Sequence, residues 1–198
     1  SAGLLDRYRV KESVAESPFD YEHNCLLYLP HKAPKRNAEN YFDELLAEIT
    51  DLIEVTCGHT LVLFNSYADM SDLKERLLTA EFNYHLYSMG RGAVKTAGDF
   101  KALPGGVLLA AGAAWEGMDF PGDCVSLLII PRLPFPVPDA KSEQEREQYE
   151  NLSDFIKAVI VPDMQIKLRQ GFGRAIRTET DTCVIAILDE RANPEKGR

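Results

Sequence analysis

The stretch "QGFGRAIRTETDTCVIAILD", residues 170–189, joins two unlike patterns. Its first half sets Gln170, Gly173, Arg174 and Arg177 at three- and four-residue intervals, and on a helix that spacing gathers side chains on one side. Its second half, "TCVIAILD" (182–189), is a nearly continuous apolar run of strand length. A helix leading into a strand apolar on both faces is the building unit of a parallel sheet with helices on either side.

Upstream, the helix can be set out in angles. Pro162 suits a first turn and Asp163 the positive helix end, and at roughly 100° per residue Met164, Leu168, Phe172 and Ala175 share one arc. Gln170, Gly173, Arg174 and Arg177 share the other, with Ile166 alone breaking the segregation. The apolar face is expected to dock on a sheet and the arginines to point away from it.

Five more apolar runs precede it: "CLLYLP" (25–30), "TLVLFN" (60–65), "YHLYS" (84–88), "GVLLAAG" (106–112) and "CVSLLII" (124–130). Between them, residues 38–55 carry Phe42, Leu45, Leu46, Ile49, Leu52 and Ile53 at helical spacing. Asp69 or Ser71 can cap a helix reaching Leu78, and 95–102 suits another. Strands alternating with helices predict an α/β domain of three layers, a mainly parallel sheet covered on both faces. "PRLPFPVPDAKSEQEREQYEN" (131–151) puts four prolines in eight residues before a charged run. It reads as a rigid excursion inserted in the domain, ending in a solvated helix or loop.

Composition limits the possibilities. With 198 residues, 45% of them hydrophobic, the chain can build a sizeable core. No apolar run reaches the roughly 18–20 residues that would span a bilayer, so no membrane partner is expected. Cys25, Cys57, Cys124 and Cys183 form no CxxC pair and have no histidine at ligand spacing, which points to buried free thiols in a reducing cytoplasm rather than a metal cluster. The net charge of -9 argues against nucleic acid as a whole-surface partner, but much of the acid is concentrated in 39–54 and 141–150, both plausible solvated helix faces.

Three stretches could carry chemistry besides the arginine helix. "WEGMD" (115–119) follows a buried strand, where loops of parallel sheets bind ligands. It reads equally as a tight crossover whose tryptophan packs and whose acids are solvated. "LVLFNSY" (61–67) ends a strand in Asn65, Ser66 and Tyr67, donors that suit either a phosphate or a helix N-cap, the cap being favoured. "GRGAVKT" (90–96) imitates a P-loop, but Val94 stands where glycine must precede the lysine. No HExxH, GxSxG or Cys/His grouping appears, and His23, His31, His59 and His85 are isolated.

Taken together these stretches resemble the second motor domain of superfamily 2 DNA helicases of the DinG and XPD-like group. "SPFDY" (17–21) resembles the segment that opens that domain, and "LVLFNSY" its motif IV. "WEGMDFPG" with "IIPRLPFPVPD" resembles motif V and its continuation; "QGFGRAIR" with "ILDER" resembles motif VI. The resemblance implies a RecA-like domain over 17–198, with 1–16 as a leading segment. It implies arginine fingers at Arg174 and Arg177, with Gln170 beside them, for ATP and Mg2+ held mainly by a first motor lobe. Glu116, Gly117, Asp119 and Gly173 would line the same cleft, while Asn65, Ser66, Tyr67 and Arg132 would hold single-stranded DNA by its backbone. Movement from 5′ to 3′ is implied by the family alone.

Ala114 and Arg132 depart from residues common in the group, a bulky aromatic and a lysine. Walker A, the DEAH-type acid box and a cluster-holding cysteine segment do not occur in the sequence, so the chain is expected to be one lobe of a motor and inactive as an ATPase by itself. Two other readings compete: a noncatalytic RecA-like interaction module that uses 141–150 for a protein partner, and a nucleotide-modifying α/β enzyme, for which a triphosphate cradle is lacking.

Overall fold

A computed structural model describes residues 20–80, 82–90, 94–103, 105–115, 120, 124–176 and 178–193. The leading segment 1–16, most of "SPFDY", Glu116, Gly117, Asp119 and Arg177 lie outside the described residues.

Among the described residues six strands form one sheet: β1 (Cys25–Tyr28), β2 (Thr60–Phe64), β3 (Leu86–Met89), β4 (Val107–Ala111), β5 (Leu127–Ile130) and β6 (Cys183–Ile187). Their order is β1-β6-β5-β2-β4-β3, and every pairing is parallel. β2, β4 and β5 are buried along their whole length, which is why their runs show no alternation.

Alternate residues of these strands feed two separate cores. Val62, Phe64, Leu109, Ile129 and Ala186 face α1 (Tyr41–Val55) and α2 (Tyr67–Thr79), meeting Leu45, Ile49, Ile53, Leu73 and Leu77. Leu61, Leu63, Leu108, Leu128 and Ile185 face the other way, toward Ala97 and Phe100 of α3 (Val94–Ala102) and Met164 of the last long helix. The expected three-layer α/β architecture is thus present, and it comes from continuous apolar strands supplying both faces.

Three local expectations are corrected and one is met. The cap of α2 is Ser66 rather than Asp69 or Ser71: its Oγ accepts from the backbone N–H of Ala68 and Asp69, so the helix starts at Tyr67. The excursion after β5 is as expected: it runs extended to Asp139, which caps the exposed helix α4 (Ala140–Arg146) in a reciprocal pair with Ser142. The helix of the opening motif, α5 (Val161–Phe172), does not begin at Pro162, since the chain is already helical from Leu152 and passes through a π turn at Ile156–Ile160. That wider turn ends where Pro162 withholds an N–H and its ring crowds the preceding turn. Finally, Cys183 is buried as expected and Cys25 and Cys124 are half-buried, but Cys57 is exposed.

Candidate functional site

The chain leaves β2 toward one edge of the sheet and leaves β5 toward the other, so the carboxyl ends of these two neighbours flank the place where the topology reverses. Parallel sheets bind ligands at that place. Asn65, the first residue past β2, donates through Nδ2 to the carbonyl oxygens of Arg132 (3.1 Å) and Leu133 (3.0 Å), just past β5. From the end of β6, the Asp189 carboxylate accepts from the Leu133 N–H at 2.9 Å. Around these contacts lies a recess of about 240 Å³ lined by Tyr41, Asn65, Ser66, Arg132, Phe135 and Arg191.

Asp189 is only 8% exposed and needs compensation for its charge. Burial pushes its pKa up, but the Arg191 guanidinium at 2.6 Å and the N–H groups of Arg191 and Leu133 outweigh it, leaving the carboxyl below its ordinary value. Arg191 is held protonated in return, chiefly by the hydrogen bond to Asp189, and its guanidinium lies 4.5 Å from the Phe135 ring centroid.

A second junction centres on Trp115, which closes a 3-10 turn (Gly112–Trp115) after β4. The indole is fully buried, and its Nε1–H donates to the Phe64 carbonyl of β2 at 2.9 Å. Gly112, at φ 63°, lies under the Tyr67 hydroxyl, where a Cβ would collide. Gly171 of α5 lies against the other side of the indole, 2.8 Å from Cζ3 measured from where its Cβ would be, and Lys167 one turn earlier sits 5.6 Å from the ring centroid. The tryptophan therefore does pack, and in packing it joins the ends of β2 and β4 to α5.

The arginine motif is split between helix and turn. α5 stops at Phe172, and Gly173 caps it with an ordinary right-handed backbone. Arg174 N–H donates to the Gly171 carbonyl, and the chain dives into the core at Ala175 (1% exposed) and Ile176 (2%). Arg174 is thus half-buried between a helix end and two anchors, its Nε donating to the Gln170 carbonyl at 3.1 Å. Gln170 is exposed. The arc expected for this set holds for Gln170; Gly173 and Arg174 are placed by the turn instead. Met164 and Ala175 are buried and Leu168 and Phe172 pack on the same core, while Ile166 is 55% exposed.

Of the expected site residues, Asn65, Ser66 and Arg132 therefore meet at the recess, Tyr67 meets the tryptophan turn, and Gln170, Gly173 and Arg174 form the end of α5. Asp189, Arg191 and Gly171 were not singled out by the sequence. Asp189 and Arg191 bear on a segment 56 residues away in the chain, and the small size of Gly171 has meaning only once Trp115 is seen opposite.

Comparison with known proteins bears on the family and the fold. The "Helicase C-terminal domain" family matches residues 49–198. The chain belongs to this family. It is 34% identical over 185 residues to the ATP-dependent DNA helicase YoaA of Haemophilus influenzae, covering 91% of this chain and 28% of that protein. It is 32% identical over 201 residues to the ATP-dependent DNA helicase DinG of Photobacterium profundum, covering 96% of this chain and 28% of the relative. The chain thus spans under a third of the length of these relatives. In fold it is similar to a solved XPD helicase, with a TM-score of 0.62 at 19% identity over 84% of this chain and 32% of that one. This is a helicase C-terminal domain, similar in sequence to parts of DinG and YoaA and sharing an α/β fold with XPD. Among the described residues no helix is long and apolar enough to cross a membrane, and no group of three or more His, Cys, Asp or Glu side chains could hold a metal ion.

Proposed function

We propose that this helicase lobe, extending over 17–198, completes an ATP site on a first motor lobe of the same polypeptide and grips single-stranded DNA by its backbone. The supporting observation is the end of α5. Gly173 has a backbone that any residue could adopt, and among the described residues a Cβ there would meet nothing closer than the Gln170 carbonyl oxygen at 3.5 Å. Neither strain nor crowding by the described residues calls for glycine at this position, and a position without a side chain beside Arg174 suits the close approach of a ligand.

Arg174, with Arg177 and Gln170, would hold the terminal phosphate oxygens of ATP. Their positive charge would meet the negative charge that grows there during phosphoryl transfer, while Mg2+ stays with the first lobe. Because the turn of Arg174 is locked by Ala175 and Ile176, the charge moves as a rigid part of the lobe. Closure of two lobes would then bring it in and opening withdraw it, which couples hydrolysis to domain motion. Glu116, Gly117 and Asp119 would border the same cleft. Asn65, Ser66, Tyr67 and Arg132 would face the strand, and contacts to a backbone need few local charges, so an acidic total is compatible with them.

The test is Arg174→Ala and Arg177→Ala in the full-length protein. DNA-stimulated ATP turnover is expected to fall at least about a hundredfold in each, within the roughly 10³–10⁵ attributed to arginine fingers, with the far-UV circular dichroism unchanged. Near-normal turnover in both variants would remove the finger assignment.

A further inference from the structure

The segment after β5 has little means of holding itself in place. Prolines at 131, 134, 136 and 138 withhold four backbone donors, and the internal Phe135 N–H to Leu133 O bond is a local turn. Three side chains from distant parts of the chain hold it instead. Asn65 takes the carbonyls of Arg132 and Leu133, Asp189 takes the Leu133 N–H, and Arg191 stacks on Phe135 while paired to Asp189. Arg132, half-buried, sits inside this three-point hold.

We infer that Asp189, acting with Arg191, is a positioning residue that fixes the 131–135 strap and thereby sets Arg132 for a phosphate of single-stranded DNA. This rests on the proposed backbone contact of Arg132. Asp189 itself touches no DNA; a buried carboxylate beside a polyanion would only repel it. The sign of its effect therefore separates two accounts. If Asp189 acts only by charge, deleting it tightens DNA binding. If it acts by holding the strap, deleting it loosens binding although the protein has become less negative.

The experiment measures fluorescence anisotropy of labelled oligothymidine with the 198-residue chain over a range of low salt concentrations. Asp189→Ala is expected to weaken binding about fivefold to tenfold, a loss within the range of one ordinary hydrogen bond, and to lower the slope of log affinity against log salt by about one. Arg132→Ala is expected to lower that slope equally, and the double variant to bind no more weakly than Arg132→Ala. Asp189→Asn keeps an acceptor for the Leu133 N–H and is expected to stay within about twofold of the parent.

Binding by Asp189→Ala that is unchanged or tighter, or a loss that adds to that of Arg132→Ala, overturns the inference while leaving the Arg132 contact standing. An Arg132→Ala variant with unchanged slope removes the backbone contact and the inference with it. Should Asp189→Ala fail to fold, Phe135→Leu decides: it removes no charge, so a reduced slope supports a displaced Arg132 and an unchanged slope overturns the inference.

Discussion

A methyl group added at Gly171 would sit 2.8 Å from Cζ3 of Trp115 and 3.1 Å from Cε3. The indole cannot give way, because it is fully buried and tied through Nε1 to the Phe64 carbonyl. Glycine in a helix interior ordinarily costs roughly 1 kcal/mol relative to alanine, so on an open helix Gly171→Ala would stabilise. Here overpacking of about 1–3 kcal/mol opposes that gain. The expected net result is a loss of about 1 kcal/mol by urea unfolding. In a Trp115→Leu background the obstacle is gone and the same substitution is expected to stabilise; a loss of equal size in both backgrounds would show that the indole is not the cause.

Ser66 has been assigned two roles, cap and DNA contact, and they can be separated. Ser66→Ala removes the acceptor for the Ala68 and Asp69 N–H groups and is expected to cost about 1 kcal/mol of stability. Ser66→Asp keeps a capping oxygen at the positive helix end but places a negative charge where a phosphate would approach. Its stability should stay near the parent while single-strand affinity falls severalfold. Undiminished affinity in Ser66→Asp would leave Ser66 a cap alone.

These two residues also mark what the sequence can disclose. Strands such as Thr60–Phe64 and Val107–Ala111 were legible because burial on both faces leaves an unbroken apolar run, which composition displays directly. β5 was read three residues too long at its start, since Cys124 and Val125 are as apolar as the strand they precede. The candidate site could be proposed from sequence where the residue type itself suggests a role, as with Arg174 and Asn65. It was hidden where residues act by position. "ILDER" looks like a solvated acid at a strand end, and only the parallel pairing of β5 with β6 brings Asp189 under Leu133. The helix reading carried Arg174 past the true helix end, because the stop after Phe172 is imposed by Ala175 and Ile176 seeking the core rather than by any breaker in "QGFGRAIR".

The pairing of Asp189 with Arg191 should leave a signature in acid. The folded-state pKa of Asp189 is depressed below the ordinary 3.8, the hydrogen bonds from Arg191 and Leu133 outweighing burial. A depressed carboxylate binds its proton more readily in the unfolded chain, so its contribution to stability is fully present above the unfolded pKa and is lost as pH falls through the folded one. Asp189→Asn lacks that contribution at every pH. The melting temperatures of parent and variant should therefore differ by a constant amount above about pH 5 and converge as the pH drops below the ordinary carboxylate range. A separation that stays unchanged down to the acid limit of folding would mean that the carboxyl keeps its ordinary affinity for protons. In that case Arg191 would contribute through its stacking on Phe135 and not through the charge of Asp189.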